Sequence, residues 1–128
     1  MRHYFRIALY LVLAACFSAA RAGAYEDFFR AVVLDDVRGV ERLLERGFDP
    51  NSRDEKGQTA LYLSQREGAF KVAEVLLANP QTRIDLVNGA GETALMMTAL
   101  RGQAAWIERL IGRGARVDGA TEGASPGW

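Results

Sequence analysis

The chain has 128 residues, with 16 Lys and Arg against 16 Asp and Glu, so no net field argues for nucleic acid or acidic lipid as a partner. An apolar share of 49% with 25% charged residues is ordinary for one small globular domain and too apolar for a disordered chain. The one cysteine, Cys16, and the one histidine, His3, exclude a multi-ligand Cys/His zinc site and a disulfide framework.

Residues 1–22 read as a secretory signal peptide. Arg2 and Arg6 open it without an acid, Ile7 to Ala20 is uncharged and mostly apolar, and Ala20-Arg21-Ala22 and Ala22-Gly23-Ala24 both supply a small-x-small exit. The pattern predicts export across the inner membrane to the periplasm, with cleavage after residue 22 or 24. As a helix the apolar run rises roughly 21 Å, short of a ~30 Å hydrocarbon core, so a permanent span is disfavoured. Leu13-Ala14-Ala15-Cys16 is similar to the lipobox of bacterial lipoproteins. Cys16 is therefore a lipidation candidate and a membrane-anchored lipoprotein is the alternative; the short run Ile7–Ala15 and the Phe17 that follows favour ordinary cleavage. Loss of Arg2, Arg6 and Arg21 with the leader leaves the acidic residues three in excess. The exported body then holds neither histidine nor cysteine and depends on packing alone.

The body repeats itself. Gly57-Gln58-Thr59-Ala60-Leu61 returns as Gly91-Glu92-Thr93-Ala94-Leu95, Gly68 as Gly102, and Val75-Leu76-Leu77 as Arg109-Leu110-Ile111, all at an offset of 34. Leu76-Leu77 maps back onto Leu43-Leu44 at 33, which sets Asp35 in the place of Gly68. Within each unit, Thr59 and Thr93 are predicted helix caps, and Gly68 and Gly102 are predicted to end the first helix with a positive φ. Val72, Val75 and Leu76, and likewise Ile107, Leu110 and Ile111, form an apolar helical stripe, closed by Gly47 and Gly114 at the ends of second helices. One such hairpin cannot bury its stripe alone, whereas stacking makes the core continuous.

Thr59-Ala60-Leu61-Tyr62 and Thr93-Ala94-Leu95-Met96 stand where the ankyrin repeat has its T-P-L-H opener, and Leu43 through Asn51 and Leu110 through Asp118 resemble its second-helix exit. The chain thus resembles the ankyrin-repeat family, and among exported members the small periplasmic proteins of Gram-negative bacteria. The resemblance implies an all-α solenoid of stacked helix-turn-helix units with short β-turn fingers: a capping unit over 25–54, repeats over 55–88 and 89–120, and a tail over 121–128 that is either disordered or the start of a truncated repeat. Three departures stand out. Tyr62 and Met96 replace the family's His, so its hydrogen bond to the next turn is missing or remade. Ala60 and Ala94 replace Pro, and Asn79-Pro80-Gln81-Thr82-Arg83 adds length. The capping unit lacks the Gly-x-Thr opener, and Glu26 and Asp27 are expected at the positive end of its helix.

The resemblance further implies a non-enzymatic module whose concave helix face and turn tips bind a protein, with no cofactor, no metal and no nucleic acid. The family's plan places Arg30, Val33 and Leu34 on that face, then Leu63, Arg66 and Glu67, then Met97, Leu100 and Arg101; Arg53 and Lys56 sit at a turn tip. Leu63, Met97 and Leu100 are apolar where the plan exposes them, which marks a partner site or packing on neighbouring helices. Gly123-Ala124-Ser125-Pro126-Gly127 matches a nucleophile elbow by letters, but Pro follows Ser125 and the exported body has no histidine, so a Ser125 hydrolase is a remote alternative. The adjacent pairs Asp35/Asp36 and Asp54/Glu55 suit caps and turns better than acid–base work. The last unit lacks a polar cover, so Trp106, Ile107 and Leu110 are expected at an open end. The chain is then a monomer or self-associates weakly through that end.

Overall fold

The computed structural model describes residues 2–117, with side chains at residues 4, 6–12 and 23–117. Six helices lie in this stretch: α1 (Arg2–Val33), α2 (Val37–Glu45), α3 (Ala60–Glu67), α4 (Phe70–Ala78), α5 (Ala94–Leu100) and α6 (Ala104–Gly112). They pair as α1/α2, α3/α4 and α5/α6, and the pairs stack, α1 on α3, α3 on α5 and α2 on α4. The described residues form an all-α repeat solenoid. Its core runs unbroken through the stack, from Phe28, Val32 and Val40 through Leu61, Val72 and Leu76 to Leu95, Trp106 and Leu110.

The offset in sequence becomes an offset in structure. Thr59 and Thr93 each accept a hydrogen bond from the N–H three residues on, capping α3 and α5. Ser64 and Thr98 each return a hydroxyl to a carbonyl of their own helix. Gly68 and Gly102 end the first helices at φ of 70° and 69°, left-handed values that cost glycine nothing. Asp35 adopts the same conformation at φ 56°, which Asp tolerates better than most side chains. Gly47 and Gly114 follow α2 and α6 at φ of 93° and 100°.

Between the pairs, the chain makes two matching fingers. Asp54 N–H and Asn88 N–H donate to the carbonyls of Gln58 and Glu92. Asp54 Oδ1 accepts from the N–H groups of Lys56 and Gln58, and Asn88 Oδ1 from those of Ala90 and Glu92, each at 2.9 Å. An antiparallel bridge joins Arg53 to Thr59 at the base of the first finger. The added length at 79–83 is held by the preceding loop: Asn51 donates to Gln81 O and accepts from Arg83 N. One repeat on, Asp85 accepts from Arg116 N in the same way.

In the full chain α1 runs unbroken from Arg2, its first turn holds no acid, and Glu26 and Asp27 lie within it; the expected place at a helix start is that of a chain beginning at residue 23 or 25. One expectation is corrected: Trp106 and Leu110 are not at the open end. Both are buried, because α6 turns them back onto the preceding repeat, where Trp106 stacks on Phe70 at 6.0 Å between ring centroids. Ile107 is half-buried. No helix among the described residues is long and apolar enough to cross a membrane.

Candidate functional site

The inner row α1–α3–α5 carries most of the positions assigned to the binding face. At the C-terminal ends of these helices the repeat offset aligns Val33 with Arg66 and Leu100, and Leu34 with Glu67 and Arg101. Leu34 and Leu100 are 69% and 74% exposed, and Val33 is exposed as well. Between them, Arg66 donates to Glu67 at 2.9 Å and to Gln58 at 3.1 Å, so the central pair neutralises itself. Apolar residues around a paired centre, with the exposed Arg101 beside Leu100, make a surface that can take apolar side chains.

The remaining positions divide. Arg30 is exposed and lies 3.7 Å from Asp27. Arg101 is exposed and Met97 half-buried. Lys56 is exposed at the finger tip, but the Arg53 guanidinium reaches across to Val87 O and Gly57 O and fastens one finger to the next. The Arg53 carbonyl in turn accepts from the Tyr25 hydroxyl. Leu63 does not belong to the exposed face. It is 2% exposed, sealed between the stacked helices, and joins the core cluster. Its position in the helix fits the plan, but its side chain is packed into the core. The side chain of Cys16, and Ser125 with the whole tail, lie outside the described residues.

Several side chains shape the site through partners that no local pattern shows. The Asp35 carboxylate accepts from Val72 N at 2.8 Å, capping α4 from the preceding unit, while Asp36 caps its own helix α2 through Gly39 N. The sequence signal for Asp35 was its place on a glycine position. The Tyr62 hydroxyl donates to Glu92 Oε1 at 3.3 Å, and Asn88 Nδ2 donates to the same oxygen, so the bond lost with the family's His is remade to the next turn. Burial, with the Glu92 charge beside it, pushes the Tyr62 hydroxyl above its ordinary pKa. On the outer row, Arg109 forms a two-pronged ion pair with Glu74 and lies over the Trp106 ring. Its hydrogen bonds hold the Glu74 carboxyl below the usual range. Gln65 is fully buried, and neither its Oε1 nor its Nε2 has a partner among the described residues.

No three His, Cys, Asp or Glu side chains among the described residues are grouped to hold a metal ion.

A family profile described as ankyrin repeats in three copies matches residues 28–123. The chain is 32% identical over 90 residues to the nuclear factor NF-kappa-B p105 subunit of Gallus gallus, an alignment covering 69% of this chain and 9% of that protein. It is 31% identical over 93 residues to the NF-kappa-B inhibitor alpha of Sus scrofa, covering 69% and 30%. Against the neurogenic locus notch homolog protein 4 of Homo sapiens it is 36% identical over 72 residues, covering 56% and 4%. The chain therefore spans less than a third of the length of each of these relatives.

Proposed function

The chain belongs to the ankyrin-repeat family, and on that premise we propose that it is an exported, non-enzymatic module that presents its inner helix row and finger tips to a protein partner. Repeats of this family typically mediate protein–protein interaction. The observation that carries the reading is the row Val33, Leu34, Leu100, exposed and apolar around the self-paired Arg66 and Glu67. The mechanism is pre-organisation. Helices held by side-chain caps and by Asn51, Asp85 and Arg53 between turns lose little entropy on binding, so a few anchors fix a partner. One relative is itself named as an inhibitor of another protein, a role of the same kind.

The export half of the proposal is supported by Arg2 and Arg6, the apolar run to Ala20 and the small residues at 20–24. The destination is the periplasm. The test is expression of the full chain in a Gram-negative host, fractionation, and N-terminal sequencing. The reading requires a periplasmic protein starting at Gly23 or Tyr25. A terminus at a lipid-modified Cys16 replaces it with the anchored alternative, and an intact Met1 in the cytosol refutes export. The partner is then sought by capture from periplasmic extract and mass spectrometry.

A further inference from the structure

A groove of about 290 Å³ runs between α1 and α2, with Arg30, Ala31 and Leu34 on the α1 wall and Gly39, Arg42 and Arg46 on the α2 wall. One repeat on, 33 residues along, the places of Arg30, Ala31 and Gly39 belong to Leu63, Ser64 and Val72, all buried. In the first pair Arg30 is exposed and the place of Val72 has no side chain. The helices approach so closely there that a Cβ on Gly39 would come within 2.7 Å of Asp36 and 3.1 Å of Ala31. The groove is thus open where the next pair is filled. Because α1 runs unbroken from Arg2, the residues before the groove continue along the helix axis and do not fold over it.

The charges in the groove are unequally satisfied. Asp27 lies 3.7 Å from Arg30, and Asp36 Oδ1 accepts from Gly39 N, so both carboxylates are engaged within the chain. Arg42 and Arg46 are exposed, and neither side chain has an ion pair or hydrogen bond among the described residues. They stand one helical turn apart, about 6 Å along α2. In an extended strand, alternate side chains on one face are about 6.5–7 Å apart. Two carboxylates at alternate positions therefore meet both guanidinium groups, in the strong charge-assisted kind of hydrogen bond. The residue between them turns to the opposite wall, where Leu34 is 69% exposed.

Other occupants fit less well. Glu41 and Glu45 share α2 with the two arginines. A polyanion such as nucleic acid or an acidic bilayer would bring its charge onto these carboxylates and onto Asp27 and Asp36. A groove between two helices also admits a single chain more readily than a flat surface. No two of the 16 Asp and Glu residues lie two positions apart in this sequence, so neither its tail at 118–128 nor a second copy offers the alternating pattern.

We propose that this groove is a second interaction site, which binds an extended segment of another protein that alternates carboxylate and apolar side chains. It shares Arg30 and Leu34 with the inner helix row but not Leu100, so either site can fail without the other.

The test measures, by fluorescence anisotropy, binding to the full chain of a labelled, end-blocked peptide carrying glutamate, leucine and glutamate in succession between glycine-serine flanks. The proposal requires saturable binding that weakens at least tenfold when Arg42→Gln and Arg46→Gln are combined. Arg38→Gln combined with Lys71→Gln removes the same charge from exposed positions outside the groove and should leave binding unchanged, as should Leu100→Glu. A peptide with glutamine for glutamate should bind at least tenfold more weakly. No saturable binding, which a merely solvated face would give, overturns the proposal. So do equal losses in the two double variants, equal binding of the glutamine peptide, or a loss in Leu100→Glu that puts the peptide on the inner row. Phosphatidylglycerol vesicles held through Arg42 and Arg46 while the peptide is not held would make the occupant a membrane, and the proposal falls with that result too.

Discussion

The carboxylate of Asp35 caps a helix that is not its own: Oδ1 accepts from Val72 N at 2.8 Å, across 37 residues of sequence. The helix it caps, α4, has Ala69 at its N-cap and no local side-chain bond. One repeat on, the position of Asp35 is Gly68, which has no side chain to offer, and α6 also starts without a side-chain cap. The joint between the first two pairs is therefore fastened in a way that the second joint is not.

Asp35→Ala should lower stability by about 1–2 kcal/mol, through the lost cap and the strain of a left-handed alanine. Asp35→Asn keeps an acceptor and tolerates the conformation, so it should stay near the parent. Asp35→Gly should fall between. Urea midpoints of the three variants check the order; equal midpoints would remove the capping role.

The same asymmetry predicts where the stack opens. Gln65 is fully buried in α3 and its amide has no partner among the described residues, and such groups cost about 1–3 kcal/mol each. Amide hydrogen exchange should show residues 104–112 less protected than residues 70–78. Gln65→Met should raise the unfolding midpoint and narrow that difference. Equal protection in the parent chain would contradict the weak second joint.

Tyr62 sets an alkaline limit. Its hydroxyl titrates above the ordinary 10.0 in the folded chain, because burial and Glu92 disfavour the phenolate. A pKa raised by folding contributes stability that is fully present below the unfolded value and is lost as pH rises through the folded one. Stability should therefore fall above pH 10, and Tyr62→Phe should flatten that part of the curve. Denaturation midpoints between pH 8 and 11 provide the check.

Glu74 sets an acid limit of the opposite sign. Arg109 lowers its pKa from 4.5, so its contribution is present above that value and lost as pH falls through the folded one. Both side chains are well exposed, so after solvent screening the pair contributes no more than about 1 kcal/mol. Arg109→Ala should remove this and the contact with Trp106. The loss should shrink at pH 3 and in 1 M salt, readable by thermal unfolding.

Much of this architecture was legible in the sequence, because a repeat states each rule more than once. The caps at Thr59 and Thr93 and the turns at Gly68 and Gly102 came from residue types with few other uses, and the offset of 34 fixed the stacking. Burial was less legible. Leu63 and Leu100 both look like apolar residues on an inner helix, yet one is 2% and the other 74% exposed. Which of them has neighbours depends on helices from adjacent units, a long-range property no local pattern carries. Trp106 is the same case: the pattern places it on a helix but does not say which side of that helix meets Phe70. Asp35 and Tyr62 stand out in the sequence where the repeat has glycine and the family has His, but their partners Val72 and Glu92 lie 37 and 30 residues away.

The central claim is that the inner helix row binds a protein through its exposed apolar ends, and capture with altered rows tests it most directly. Tagged parent chain, Leu34→Glu, Leu100→Glu and the double variant are exported, used to capture from periplasmic extract, and compared by quantitative mass spectrometry. Circular dichroism on each confirms that the helices persist. Leu63→Glu serves as the contrast, since a core change should unfold the stack. The account predicts a protein held by the parent and released by the row variants, each substitution weakening capture by about 1–3 kcal/mol with helicity intact. Equal capture by the parent and the double variant, or nothing captured above a tag-only control, would contradict it.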